Sequence, residues 1–287
     1  MANGIIIIDK PQGWTSMDVC AKLRGIFHEK RVGHAGTLDP MATGILPVFL
    51  GRATRGVEFA AEGAKEYRAI LRLGQVTDTQ DVTGTVLEQR EVSVSREQLE
   101  EVLLRFRGDI EQIPPMYSAI KIDGKKLYDL ARKGREVERK PRPVTIHELE
   151  LGARLSDTDW ELRVVCSKGT YIRTLCHDVG QALGCGGTMA ALRRTVACGY
   201  TVAQAVTLEQ VQQAADPTAL LTPIDTLFAH LPAVTLTAAQ AKCVRNGMAF
   251  TYRGEGECRT YGPEGEFLAV CRAVDGKLVT VKSFFEV

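Results

Sequence analysis

Residues 33–40 read Gly-His-Ala-Gly-Thr-Leu-Asp-Pro, and this stretch constrains the chain more than any other. Gly33 and Gly36 let the backbone bend sharply and approach a ligand closely. Asp39 is the only acid between Glu29 and Glu58, so its carboxylate stands alone on a glycine-rich loop. Two readings follow from the residues. Asp is a favoured helix N-cap and Pro a favoured first helical residue, so Asp39-Pro40 can open a short helix. Alternatively the carboxylate is a nucleophile, a general base or an anchor for a cation. The loop is not a phosphate cradle. It lacks the lysine and hydroxyl residue of a P-loop, and its glycines do not follow the dinucleotide fingerprint.

Around this loop the apolar pattern predicts both strands and helices. Gly4 to Ile8 reads as a buried strand. Thr15-Ser16-Met17-Asp18 resembles a capping box before a helix carrying Val19, Leu23, Ile26 and Phe27. Val48 to Leu50 reads as a strand and residues 53–61 as a short helix. Strands at Tyr67 to Leu73 and Thr85 to Leu87 flank a polar turn, in which Asp78 and Asp81 read as turn residues rather than metal ligands. Ser95 with Gln98 opens an amphipathic helix running to Phe106. Pro114-Pro115 precedes a strand from Tyr117 to Ile122, then a short basic helix around Leu127 to Ala131 and an exposed connection from Arg135 to Pro143. Trp160, Leu162, Val164 and Cys166 alternate as a half-buried strand.

Residues 170–183 read as a helix with Tyr171 and Arg173 in its first turn. An arginine there opposes the helix dipole, a local conflict of the kind found at functional sites. Further helices are expected at 188–194 and 207–215. Beyond Leu231-Pro232 the chain turns β-rich, with strands at Phe267 to Cys271 and Leu278 to Val281 around Asp275-Gly276. The expected division is residues 1–230 and 231–287.

Composition narrows the function classes. The chain is 45% hydrophobic and 25% charged, as an ordinary soluble globular protein is. Its opening residues fall far short of a signal peptide or a membrane span. Eight cysteines with no Cys-x-x-Cys pair argue against a zinc site and a secreted disulfide framework, and fit free thiols in the cytosol. A net charge of +1 fails the test of a strongly basic nucleic-acid binder, yet residues 121–142 hold nine Lys or Arg against four Asp or Glu. Such a segment suits phosphate contacts through Lys125, Lys126, Arg132 and Lys133, or is a solvated lysine-rich loop.

The order of motifs adds a resemblance. It runs through Lys10-Pro11-Gln12-Gly13, Thr15-Ser16, Gly33 to Pro40, Lys65-Glu66-Tyr67-Arg68 and Thr77 to Asp81. It continues through Pro114 to Ala119, Gly169 to Arg173 and Leu192-Arg193-Arg194-Thr195. In this order the motifs resemble those of the bacterial tRNA pseudouridine-55 synthases, over most of residues 1–230. The resemblance implies an α+β catalytic domain on a mixed, largely antiparallel sheet, and a small C-terminal β-rich domain related to the RNA-binding PUA fold. It implies an isomerase that converts uridine to pseudouridine in the T loop of tRNA. It also implies no cofactor, metal, membrane or partner protein, and a monomer in the cytoplasm.

The same resemblance makes Asp39 the catalytic carboxylate, Arg173 its ion-pair partner and Tyr67 the aromatic face for a flipped base. Tyr171 and Leu192 would line the uridine pocket, His34 would contact the bent RNA loop, and Lys10 and Pro11 would shape the pocket wall. The basic segment would grip the T loop. Read without it, each residue has a plainer role: Tyr67 and Leu192 as core, Arg173 as surface, Tyr171 as a capping-region aromatic, His34 as a bonded loop residue, Lys10-Pro11 as a strand end. The chain departs from the family at Gly186-Gly187-Thr188-Met189 and Ala197-Cys198-Gly199-Tyr200, which touches local packing. Two other functions compete: a chaperone that opens tRNA loops without needing Asp39, and a synthase directed by a guide RNA, which the short tail and basic insertion disfavour.

Overall fold

A computed structural model describes residues 2–122 and 124–285. The chain opens with β1 (Gly4–Lys10), α1 (Ser16–Phe27), β2 (Val32–His34) and β3 (Thr43–Leu50). Next come α2 (Val57–Ala60), β4 (Lys65–Leu73), β5 (Gln75–Thr77), β6 (Val86–Gln89), α3 (Arg96–Leu104) and β7 (Gly108–Gln112). A hairpin of β8 (Lys121–Ile122) and β9 (Lys125–Lys126) leads into α4 (Leu127–Ala131). Then follow β10 (Arg142–Arg154), β11 (Asp159–Cys166), α5 (Ile172–Ala182), β12 (Gly187–Ala197), β13 (Tyr200–Thr201) and α6 (Leu208–Gln213). The tail holds β14 (Ala233–Thr235), α7 (Ala238–Arg245), β15 (Phe250–Thr251), β16 (Glu257–Tyr261), β17 (Phe267–Val274) and β18 (Lys277–Ser283).

Among the described residues nine strands form one sheet, in the order β1-β3-β12-β4-β11-β10-β7 with β2 on β3 and β13 on β12. β12 runs parallel to β3, and the other pairings are antiparallel. The protein is thus α+β on a mixed, largely antiparallel sheet. β4 shows why the sheet forms. Its residues alternate, so that Tyr67, Ala69, Leu71 and Leu73 face a core shared with Leu99 and Leu103 of α3 and Leu175 and Val179 of α5. Each large side chain buried in this way contributes about 1.5–3 kcal/mol. At the other end of the sheet, the Thr15 hydroxyl accepts from the Asp18 amide while the Asp18 carboxylate accepts from the Thr15 amide, a complete capping box that fixes the start of α1.

Two expected elements are corrected. Residues 188–194 are not a helix but the middle of β12. Bulges between Met189 and Ala191 and between Arg194 and Val196 break the two-residue alternation. The buried positions Met189, Leu192, Arg194 and Ala197 therefore fall three, two and three residues apart, which hides the strand period, and the Ala, Leu and Arg content favours the wrong reading. Tertiary fit decides it. Gly180 of α5 lies so close to β12 that a Cβ there would sit 2.1 Å from the Gly187 amide nitrogen. Likewise, Tyr117 to Ala119 is irregular, and only Lys121–Ile122 is paired as strand. The Tyr117 carbonyl accepts from Arg173, and those of Ser118 and Ile120 accept from the amides of Tyr128 and Leu127. These acceptors are no longer free for a neighbouring strand.

The tail forms a second sheet, β14-β16-β17-β18-β15. It is packed onto the first part of the chain through Phe267 and Phe284, which meet Phe228, itself edge-on to Phe59 at 5.2 Å. The Tyr261 hydroxyl donates to Asp225 at 2.7 Å across the same junction. Among the described residues no helix is long and apolar enough to cross a membrane.

Candidate active site

Asp39 does not cap a helix. The Ala42 amide donates to the Asp39 carbonyl at 3.0 Å, closing a turn at Pro40 and Met41, and β3 begins at Thr43. That removes the cap reading and leaves the carboxylate unaccounted for by local structure. The turn is held from both sides. The Ser16 hydroxyl accepts from the Leu38 amide at 2.9 Å and donates to the Leu38 carbonyl at 3.2 Å. The Pro40 carbonyl accepts from the Gly13 amide at 2.8 Å and from Lys10 Nζ at 3.3 Å.

Arg173, in the first turn of α5, reaches this loop, whose Leu38 and Ala42 share one core cluster with Ile172 and Leu175 of the same helix. Its Nε lies 2.9 Å from Asp39 Oδ2, and its Nη2 lies 3.4 Å from Oδ1. The same guanidinium donates to the carbonyls of Thr79 at 3.0 Å and Tyr117 at 2.8 Å, and its Nη1 stands 3.7 Å from Asp81 Oδ2. Two carboxylates and two carbonyls thus offset the unfavourable end of the α5 dipole. The Arg173 side chain is 5% exposed, against 35% for Asp39, so the carboxylate is the open member of the pair. Burial pushes the Asp39 pKa above the ordinary carboxylate value; Arg173 and Lys10 oppose that shift and Asp81 adds to it.

Tyr67 sits on the core face of β4, in one cluster with Leu38, Ala42 and Leu192. Its cross-strand partners are Val164 on β11 and, on β12, Arg194, which is fully buried. Burial raises the Tyr67 pKa, and Arg194 partly offsets the rise. Arg194 donates to the carbonyls of Ile45 at 2.8 Å and Gly36 at 3.0 Å, tying the loop to β3. The close approach of β12 to β3 needs Gly44, with φ 98°, because a Cβ there would lie 2.2 Å from the Arg194 carbonyl oxygen.

The other expected site residues fall into two groups. Tyr171 is the N-cap of α5, its amide and carbonyl both bonded to the Gln112 side chain, and burial raises its pKa. His34 ends β2, and burial, then Arg194, lower its pKa toward the neutral imidazole. Lys10 is fully buried and donates to the carbonyls of Pro11, Trp14 and Pro40, while Pro11 is exposed. Burial pushes the Lys10 pKa down to about 8, against the pull of Asp39. By contrast, Lys125, Arg132 and Lys133 lie exposed on and beside the hairpin and α4, and no contact among the described residues ties them to Asp39. The Lys126 side chain lies outside the described residues.

Three residues were not singled out from the sequence. Asp81, 4% exposed, is more than a turn residue: its Oδ1 is held by Thr79 and Thr83 and its Oδ2 faces Arg173. Ser16 and Arg194 fasten the loop. All three stand inside the quoted motifs, which was the available signal. Among the described residues no three His, Cys, Asp or Glu side chains are grouped to hold a metal ion.

A family model described as TruB family pseudouridylate synthase, N-terminal domain, matches residues 24–172. A second, the tRNA pseudouridylate synthase B C-terminal domain, matches residues 173–229. The chain belongs to the TruB family of pseudouridylate synthases. It is 47% identical over 284 residues to tRNA pseudouridine synthase B of Azoarcus sp. strain BH72, covering 97% of this chain and 93% of that one. It is 45% identical to the protein of the same name in Escherichia coli K12, covering 93% and 90%. A solved Cbf5-Nop10-Gar1 complex contains a chain 26% identical, with a TM-score of 0.73 over 99% of this chain and 85% of that one. As a TruB family member the chain is a pseudouridine synthase, an isomerase.

Proposed function

We propose that this chain isomerises uridine to pseudouridine at position 55 in the T loop of tRNA, with Asp39 as the catalytic carboxylate. One observation carries the reading: Asp39 is a half-exposed carboxylate, clamped by its loop and oriented by the bidentate Arg173. The relatives named for tRNA are 45–47% identical, whereas the relative that sits in a protein assembly is 26% identical, which supports a stand-alone tRNA enzyme.

The target base leaves its stack to be reached. Tyr67 then offers it a face, with Leu192 and Tyr171 lining the pocket. The N1–C1′ bond breaks and uracil leaves as a resonance-stabilised anion, so no acid is needed on the leaving group. Asp39 serves this step by attacking C1′ or by taking the C2′ proton. The base rotates, and C5 joins C1′ as the bond to Asp39 breaks or as C2′ regains its proton from Asp39; the C5 proton then passes to a base, a role we assign to the Tyr67 oxygen, while N1 takes up a proton. No atom is gained or lost, so the reaction draws on no cofactor. Residues 1–230 would carry this chemistry, with the basic segment 121–142 gripping the T loop. Residues 231–287 would be a small PUA-like RNA-binding domain. The enzyme would act as a monomer in the cytoplasm. The test is incubation of the protein with an unmodified tRNA transcript without added cofactor, followed by mapping of pseudouridine. Product at position 55 is expected; none at any uridine would overturn the reading.

A further inference from the structure

Ser16 is 2% exposed, and its hydroxyl makes both hydrogen bonds available to the Leu38 backbone, accepting from the amide and donating to the carbonyl. Leu38 immediately precedes Asp39. On the far side, the Pro40 carbonyl is held by Gly13 and Lys10. The backbone on both sides of Asp39 is therefore gripped by residues from one short stretch, Lys10 at the end of β1, Gly13 in the connection and Ser16 at the start of α1. Ser16 itself cannot drift, because the Thr15–Asp18 capping box fixes the helix turn that carries it. The side chain of Asp39 has Arg173 as its ion-pair partner, while the main chain beside it is set by this separate group of residues.

We propose that Ser16 is a positioning residue for the reaction: it sets the main chain of the catalytic loop so that the Asp39 carboxylate meets the sugar at bonding distance. The proposal rests on Asp39 acting as the reading above has it. Without the hydroxyl, the Leu38 amide and carbonyl lose their partner, and the loop must shift or admit water. A displacement of about 1 Å at a reacting group costs roughly 100-fold in rate. Among the described residues the Ser16 hydroxyl bonds to Leu38 and to nothing in the basic segment, so the expected effect falls on rate rather than on RNA affinity.

The test compares wild type, Ser16→Ala, Ser16→Cys and Asp39→Asn in single-turnover pseudouridine formation at saturating tRNA, each well below its own Tm. Ser16→Ala should lower the rate roughly 10- to 100-fold with the tRNA Kd unchanged. Ser16→Cys keeps the volume but bonds weakly, and should fall between Ala and wild type. A purely structural role would lower Tm while leaving the rate per folded molecule unchanged. Wild-type rates in both variants, or a loss confined to the tRNA Kd, would overturn the proposal. If Ser16→Ala does not fold, Ser16→Cys decides alone: a wild-type rate overturns the idea and a reduced rate at unchanged Kd supports it. An inactive wild type or an active Asp39→Asn would instead overturn the reading of Asp39, so the two failures are distinct.

Discussion

Replacing Asp39 by Asn separates charge from shape. Asn is as good as Asp at the first position of a β-turn, so the Ala42-to-residue-39 bond and the loop should survive. Loss of a covalent or acid–base group lowers turnover by roughly 10⁴- to 10⁶-fold, about 5–8 kcal/mol of transition-state stabilisation. Stability is expected to move far less. Breaking a buried ion pair ordinarily costs about 3–5 kcal/mol, because the partner is stranded. Here Arg173 keeps the carbonyls of Thr79 and Tyr117 and faces Asp81, so it is not stranded. Burial also holds the Asp39 pKa above 3.8, so ionising it in the folded protein is unfavourable. The net change should stay below about 1 kcal/mol, about 2 °C in Tm for a chain of this size. The sign depends on pH. Between 3.8 and its raised folded value, Asp39 holds a proton in the folded chain that the unfolded chain has released. Wild type therefore loses stability relative to Asp39→Asn as pH rises through that window, and the difference closes below 3.8. Single-turnover assays, tRNA affinity and thermal melts across pH measure all of this. Wild-type turnover in folded Asp39→Asn would refute the catalytic reading, and a Tm drop of about 6 °C or more at neutral pH would refute the energetic one.

Tyr67→Phe keeps the stacking face and should bind tRNA normally yet stall after cleavage, whereas Tyr67→Leu should also lose roughly 1–3 kcal/mol of stacking; full turnover in Phe would remove the proton role. Neutralising Lys125, Lys126, Arg132 and Lys133 together should weaken tRNA binding and flatten its salt dependence by about one slope unit per lost phosphate contact, and an unchanged slope would make the patch a solvated face. Asp81→Asn should loosen Arg173 and slow the single-turnover rate roughly 10- to 100-fold at unchanged tRNA Kd; an unaltered rate would show that the second carboxylate is idle. Between pH 8 and 10.5 the unfolded chain keeps the Lys10 proton while the folded chain has lost it, so wild-type stability should gain a rising contribution over that range, absent in Lys10→Met; equal slopes in the two melts would contradict the burial of a charged lysine.

The sequence disclosed what local rules control and missed what distant contacts impose. The strand at β4 and the alternation of β11 were legible because one face of each is buried and the other is not. The capping boxes of α1 and α3 were legible because their donors and acceptors lie three residues apart. β12 was misread because its bulges disguise a strand as a helix, and β7 was missed because its charged residues lie at the sheet edge. In the site, Asp39 stood out as a lone acid, but its helix-cap reading could be discarded only once the turn was seen. Asp81 looked like one more turn aspartate, since nothing in its neighbourhood announces an arginine more than ninety residues away. Arg173 was marked by its conflict with the helix dipole, and the structure shows the carboxylates that offset it.

The place of β12 also governs when the chain can become an enzyme. β3 and β4 are near neighbours along the chain, yet they do not pair; β12 is inserted between them. A nascent chain emerging from the ribosome would thus display two open strand edges until Ala197 has left the exit tunnel. Such non-local pairing closes slowly and leaves edges free to pair wrongly. The Gly36 and Ile45 carbonyls also wait for Arg194, so the aspartate loop has its ties to Lys10, Gly13 and Ser16 but lacks this one during most of synthesis. A fragment that stops short of Gly187 would carry Asp39, Tyr67 and Arg173 and still lack the strand that locks them into one sheet.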